Sequence, residues 1–366
     1  MVKPMRTNIK TAVLILMIAL FSTQSVVAQK ESKFKYVDAK TLTIINKIDK
    51  DCAPFARIDG KKYNAHKELD KTSTGLAIVF RTDSRIIEAK WVTTRNRLGS
   101  NSTPILQNGL DLYIRRDGKW VFAGEGHPTS NSCDHQSILV KRMAEGVKEC
   151  LLYLPMHNGV ASLEIGVEKS AMIEPMESPF KYKIAFIGSS LTHGSSASRP
   201  GATYVARLGR ELNAEAPNIG LSGKCKLDDY FANIVCGNEA DAFIFDTFSN
   251  PTKEQIEERL YNFVKRVATT HPDKPMIFLQ TIKREDGNFD LGLRKRSEEQ
   301  RAAAEAGMKV VCKEFKNVYF LNPGIVIAET SSGTVDGSHL NDLSVQCTVD
   351  NLLPKLKKIL KKYGIK

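Results

Sequence analysis

The stretch Tyr182-Lys183-Ile184-Ala185-Phe186-Ile187-Gly188-Ser189-Ser190-Leu191-Thr192-His193-Gly194 decides the fold. Its first six residues read as a buried strand, apolar but for Lys183, and small polar residues follow at once. The same alternation recurs downstream. Residues 204–212 have helical spacing, and 241–245 read as a second buried strand. Residues 253–268 read as a helix with Ile256, Leu260, Phe263, Val264 and Val267 on one stripe. A strand is expected at 276–279, a helix at 298–315, a strand at 318–321 and a helix at 343–363. That last helix is expected to bend or break at Pro354. Strands alternating with helices indicate βαβ units on a parallel sheet.

Upstream the pattern changes. Apolar runs at 76–80, 86–91, 110–114, 120–122, 150–154 and 161–165 are short and strand-like. Turn signals such as Arg116-Asp117-Gly118-Lys119 and His157-Asn158-Gly159 separate several of them. Short strands with turn chemistry and little helical periodicity predict a β-sandwich. Pro175, Ser178 and Pro179 mark a linker, which divides the chain into 29–176 and 177–366.

At the start, Lys3, Arg6 and Lys10 precede an unbroken apolar run at 12–21, and Ser25-Val26-Val27-Ala28 offers small residues for cleavage. This reads as a secretory signal peptide over 1–28, cut after Ala28, and implies a secreted or periplasmic protein. Ten apolar residues are too few to cross a bilayer, which needs about 20. No later segment is long and apolar enough, so stable membrane insertion is not expected. Of 366 residues, 338 then remain, and the formal charge falls by three, from +12 to +9, as Lys3, Arg6 and Lys10 leave.

Composition excludes several classes. Hydrophobic residues at 42% and charged residues at 26% describe a globular chain, not a disordered or fibrous one. Lys355, Lys357, Lys358, Lys361 and Lys362 form a solvated basic face, and no aromatic or motif support points to nucleic acid. The seven cysteines, Cys52, Cys133, Cys150, Cys225, Cys236, Cys312 and Cys347, leave at least one unpaired within a single chain. Cys133 with Cys150, or Cys225 with Cys236, are close enough in sequence to pair; buried free thiols are the default. Gly124-Glu125-Gly126 is no dinucleotide loop, and no metal-ligand spacing is present. No cofactor is expected. Oligomeric state is left open.

In an open α/β sheet, ligands bind beyond the carboxyl ends of the strands. Four loops there end on small, polar or titratable residues: 188–194, 221–224, 246–251 and the one reaching Asp336-Gly337-Ser338-His339. An acyl-transfer site needs a nucleophile, a base and oxyanion donors delivered to one rim in this way.

These blocks resemble the SGNH (GDSL-type) serine hydrolases. Gly188-Ser189-Ser190-Leu191 is similar to the first family block, with Ser190 in the nucleophile position. Gly223 matches the second, Asn250 the third, and Asp336 with His339 the DxxH of the last. Ser189 stands where the family's namesake block has Asp, and Asn250 lacks the flanking Gly and Asp. Gly188 to Gly194, followed by Ala197-Ser198-Arg199-Pro200-Gly201, resembles a bacterial branch with an N-terminal sandwich bearing Gly-x-Asp-Leu-Tyr. Here that signature is Gly109-Leu110-Asp111-Leu112-Tyr113.

The resemblance implies a flavodoxin-like three-layer α/β hydrolase domain preceded by a jelly-roll-like β-sandwich. It implies a serine esterase for small acyl esters, O-acetyl groups on glycans among them. A lipase or thioesterase for longer chains, or an inactive carbohydrate-binding protein, are the alternatives. Chemistry then assigns the roles. Ser190 attacks once His339 takes its proton, and Asp336 orients the imidazole. The backbone N–H groups of Ser190 and Gly223 and the Asn250 amide serve the oxyanion. His193 and Arg199 stand near enough to touch substrate, although a loop lining and a structural salt bridge are their plain alternatives. Asp111 and Tyr113 are read as structural.

Overall fold

A computed structural model of the chain describes residues 1, 32–96, 98–324 and 332–366. Apart from Met1, the expected leader and its cut after Ala28 lie outside the described residues. The segment Phe34–Lys366 forms one compact unit.

Its N-terminal half consists of short strands: β1 (Phe34–Asp38), β2 (Thr43–Ile45), β3 (Ala77–Thr82), β4 (Ile86–Thr93), β5 (Leu110–Arg116), β6 (Lys119–Gly126), β7 (Asp134–Lys141), β8 (Lys148–Tyr153), β9 (Val160–Glu168) and β10 (Ile173–Pro175). A short α-helix, α1 (Pro104–Asn108), interrupts them; Pro104 opens it and the Thr103 hydroxyl caps it. Asp117 and Gly118 both have positive φ, which suits the tight turn between β5 and β6. The strands pair antiparallel in two sheets, ordered β1-β9-β4-β7 and β10-β3-β8-β5-β6, with β2 alongside β3. Ile87, Trp91 and Leu163 of the first sheet pack with Phe80, Leu112 and Leu152 of the second in one core. This is the expected β-sandwich. Strands β3 and β8 are apolar on both faces for a reason. Ala77, Val79, Leu151 and Tyr153 turn away from the sandwich core and join a second cluster with Ala206 of the C-terminal half.

The C-terminal half has a parallel sheet of β11 (Tyr182–Gly188), β12 (Ala214–Glu215), β13 (Asn218–Gly220), β14 (Ala242–Asp246), β15 (Met276–Leu279) and β16 (Val318–Leu321). Both β12 and β13 pair with the same edge of β11, so they are two pieces of one edge strand. Pro217 lies between them and has no N–H to give the ladder. The order is therefore 2-1-3-4-5, all parallel, the flavodoxin-like arrangement. The helices are α2 (Ser190–His193), α3 (Tyr204–Glu211), α4 (Asp229–Cys236), α5 (Lys253–Thr270), α6 (Leu291–Glu314) and α7 (Asp342–Leu360). Side chains of α4, α5 and α6 cover one face of the sheet, and those of α3 and α7 the other.

Two of the expected helices differ from their expected form. Helix α6 begins at Leu291, well before 298, because Asp290 caps it by accepting from the Gly292 and Leu293 N–H groups. Its first two turns are almost wholly exposed, so they carry no apolar stripe to read. Helix α7 runs through Pro354 without a break. Leu352, Leu356, Ile359 and Leu360 are buried on either side of it, and this packing outweighs one missing backbone bond. All seven cysteines are free thiols, so neither suggested pair is bridged. No helix among the described residues is long and apolar enough to cross a membrane.

Candidate active site

The carboxyl ends of β11 and β14 lie side by side where the strand order reverses, the place such sheets offer to a ligand. The chain leaves β11 into α2 in a tight turn. There the Ser189 N–H donates to the Asp246 carbonyl at 3.0 Å. The Ser189 hydroxyl does two things. It accepts from the Leu191 N–H at 3.2 Å as the cap of α2, and it donates to Asp246 Oδ2 at 2.6 Å. Thr192 and Ser249 donate their hydroxyls to the same carboxylate, at 3.1 and 3.2 Å. Burial pushes the Asp246 carboxyl up and these donors pull it back, with burial prevailing. A carboxylate from the next strand thus braces the position where Ser replaces the family's Asp. Ser190 follows as the first residue of α2, itself buried.

His339 reaches Ser190 from the loop before α7. Its Nε2 lies 2.8 Å from Ser190 Oγ, and its Nδ1 lies 2.7 Å from Asp336 Oδ2. With Nδ1–H turned to the carboxylate, Nε2 is left to accept the serine proton. Asp336 Oδ1 also accepts the backbone N–H groups of Ser338 and His339, at 3.1 and 2.8 Å. Hydrogen bonds from Asn101 and His339 hold the Asp336 carboxyl far below the usual carboxylate range despite burial, which opposes them. The short turn before α6 anchors this loop. The Glu285 carboxylate accepts the Gly333 and Thr334 N–H groups, at 2.9 and 3.0 Å, and Asp286 accepts the Ser338 hydroxyl at 2.6 Å.

Sequence reasoning missed Asn101. It belongs to the sandwich half, yet its side-chain amide donates to Asp336 Oδ2 at 2.8 Å. Its carbonyl accepts the Ser196 hydroxyl at 2.7 Å, and Thr103 donates to the Ser198 carbonyl at 2.6 Å. In sequence, Asn101 belongs to no block or spacing that points to chemistry, so no signal distinguished it.

Gly223 sits in an exposed turn at φ +70°, with nothing within 4 Å of the place a Cβ would occupy. Asn250 Oδ1 accepts the Cys225 N–H at 3.3 Å, which leaves its NH₂ as the free donor. Gly223 and Asn250 line one cleft of about 200 Å³.

Two expected substrate contacts are corrected. His193 is buried with both ring nitrogens engaged. Nδ1 meets the Ser222 hydroxyl at 3.0 Å, while Nε2 meets the Met156 carbonyl at 3.1 Å and Thr74 Oγ1 at 3.0 Å. No ring nitrogen remains for substrate; the ring ties the loop bearing Gly223 to the sandwich half. Arg199 is a structural ion pair. Its guanidinium donates to both oxygens of the fully buried Asp111, at 3.0 and 2.8 Å, and to the Tyr113 hydroxyl at 2.6 Å. Asp111 also accepts the Gly201 N–H at 2.7 Å. The Gly-x-Asp-Leu-Tyr signature is therefore a clamp on the segment after α2. Among the described residues, no group of three His, Cys, Asp or Glu side chains converges as a metal site does.

Comparison with known proteins bears on the family and the fold. Residues 181–357 match the GDSL-like lipase/acylhydrolase family, and residues 34–173 match the GxDLY family, the N-terminus of SGNH-hydrolase-type esterases. A protein from Bacteroides ovatus described as a GDSL-like lipase is 41% identical, with a TM-score of 0.87. The match covers 90% of this chain and 98% of that one. The salicylyl-acyltransferase SsfX3 of a tetracycline biosynthetic pathway shares the fold at 17% identity and a TM-score of 0.68, over 92% and 99% of the two chains. A family two carbohydrate esterase from Cellvibrio japonicus does so at 13% identity and 0.58, over 90% and 98%. No curated protein matches the chain.

Proposed function

Since this chain belongs to the GDSL-like lipase/acylhydrolase family and is a serine esterase, we propose that it cleaves small acyl esters, O-acetyl groups on carbohydrate foremost, through a Ser190 acyl-enzyme. The observation that carries this is the unbroken chain of contacts from Ser190 Oγ through His339, at 2.8 Å, to Asp336, at 2.7 Å. His339 takes the hydroxyl proton as Ser190 attacks the ester carbon. Asp336 stays ionised and stabilises the imidazolium that forms. The Ser190 and Gly223 N–H groups and the Asn250 amide receive the oxyanion. As the intermediate collapses, His339 returns the proton to the departing alcohol. Water, activated by the same histidine, then releases the acid.

The choice of carbohydrate esters follows the fold shared with carbohydrate esterases and the small size of the cleft beside Gly223 and Asn250. The division at 29–176 and 177–366 belongs to the same reading, with the sandwich as a partner that braces the site. So does export through the 1–28 leader, which places the enzyme outside the cell or in the periplasm.

Fluorophosphonate labelling of the purified chain, with peptide mapping, tests the nucleophile: the label belongs on Ser190. Acetate release from acetylated glycans, lost in Ser190→Ala, separates an esterase from an inactive binding protein. If p-nitrophenyl esters of long acids turn over much faster than the acetate, the acyl group is a long chain instead.

A further inference from the structure

The cleft beside the proposed oxyanion donors has an unbalanced lining. Its walls include Gly223, Asn250, Lys226, Arg284, Asp286 and Arg296. It adjoins the reacting centre, because Asp286 holds the Ser338 hydroxyl one residue before His339. Three cations therefore face one carboxylate, which is already engaged. Arg284 is held in place by donating to the Ser249 carbonyl at 3.0 Å. Lys226 and Arg296 have no carboxylate within ion-pair distance among the described residues. Some other cations of this half do meet acids: Arg259 meets Asp228 at 3.2 Å, and Lys274 meets Asp241 at 3.8 Å. Charges of one sign in a walled cleft focus their field on whatever enters it. At about 200 Å³ the space is below the roughly 300–1,000 Å³ of drug-sized sites, so it suits one small charged group and not a long chain.

We infer that this cleft is an anion subsite: the substrate carries a carboxylate near the scissile ester, met by Lys226, Arg284 and Arg296. The inference rests on the esterase reading and adds the chemical class of the substrate. A guanidinium fork suits a planar carboxylate, and the lysine adds a point charge. The carboxylate belongs either to an acidic sugar on the alcohol side or to the acyl group.

Two matched pairs of substrates, given to the full chain, decide the matter. O-acetylated polygalacturonate against O-acetylated xylan places the anion on the alcohol side. Mono-p-nitrophenyl succinate against p-nitrophenyl butyrate places it on the acyl side. We expect kcat/KM to favour the anionic member of one pair by about tenfold at low ionic strength, the scale of two partly exposed charge contacts. The preference should shrink at about 0.5 M salt, where screening acts within a few ångströms. It should shrink severalfold in the Lys226→Gln/Arg296→Gln double variant, which keeps only Arg284, and the pair that shows it names the source of the carboxylate. The salt response needs no variant, so a misfolded double substitution does not remove the test. Hydrolysis of p-nitrophenyl acetate with no anionic preference in either pair overturns this inference alone. A preference that survives both salt and substitution also overturns it. No hydrolysis of p-nitrophenyl acetate, or of any of the four substrates, overturns the esterase reading and this inference with it.

Discussion

The side-chain amide of Asn101 donates to the Asp336 carboxylate at 2.8 Å across 235 positions of sequence. The oxygen it touches is the one that faces His339 Nδ1. Asn101 is thus placed to fix the direction of the carboxylate proposed to aim the imidazole. For Asn101→Ala we expect kcat to fall on the order of ten- to a hundredfold, with KM little changed, because misplacement by an ångström is that costly. Asn101→Asp should be worse, since it sets a second negative charge beside Asp336. Steady-state kinetics beside a melting curve checks this; full kcat in the alanine variant removes Asn101 from the site.

Ser190→Ala, His339→Ala and Asp336→Asn should each lower kcat by about 10⁴-fold or more, and the first two should not add when combined. Melting temperatures should move little for Ser190→Ala, which loses one hydroxyl. Retained esterase activity in the purified Ser190→Ala protein would falsify the nucleophile assignment.

Asn250→Ala should cost on the order of a hundredfold in kcat with a small change in KM, the pattern of a donor used only in the transition state. If KM rises while kcat holds, Asn250 binds ground-state substrate and is no oxyanion donor.

Acid should weaken the fold through His157. Burial is the main cause that lowers this imidazole from 6.5 to about 4, and the nearby Arg57 adds to it. Its ring packs edge-on against His193, also lowered by burial, with centroids 4.2 Å apart. A base whose folded pKa is depressed contributes stability in full above its unfolded pKa. That stability is lost as pH falls from about 6.5 toward 4, because the unfolded chain binds protons first. At about 1.4 kcal/mol per pKa unit the loss from His157 reaches roughly 3 kcal/mol. Urea unfolding across that window should show the slope, and His157→Phe should flatten it. An unchanged slope in that variant assigns the acid response to other groups.

Gly201→Ala should destabilise the fold by about 1–3 kcal/mol, the range for forced overpacking. A Cβ there would stand 2.4 Å from the Tyr113 ring and 2.8 Å from the Asp111 carboxylate. Thermal melting measures this, and a melting point equal to that of the parent would show that the clamp gives way freely.

Much of this was legible along the chain. Runs such as Phe243-Ile244-Phe245 announce a strand covered on both sides, because burial sets the spacing of apolar residues locally. Strand β7 escaped notice because Asp134-His135-Gln136-Ser137 carries no apolar alternation. The start of α6 escaped because its first turns face solvent and a single Asp290 caps them. For the site, Ser190, Asp336 and His339 stood out as residue types at strand ends. His193 and Arg199 were visible too, but their partners were not. Met156 and Ser222 for the one, and Asp111 for the other, lie far off in sequence or give no periodic signal.

By itself, then, the sequence determined the main strand–helix alternation of the C-terminal half, the parallel sheet, the sandwich and the loops that carry the candidate side chains. Each of those follows from backbone propensity and from which face of an element avoids water, and both are local. Only the tertiary structure decided that Asn101 from the sandwich reaches Asp336, that Asp246 braces Ser189, and that the Gly-x-Asp-Leu-Tyr signature grips Arg199 and Gly201. These are hydrogen bonds and ion pairs between polar side chains on distant segments. Their strength depends on distances of about 3 Å that exist only once both segments have packed, and a polar residue in a turn looks the same before its partner arrives.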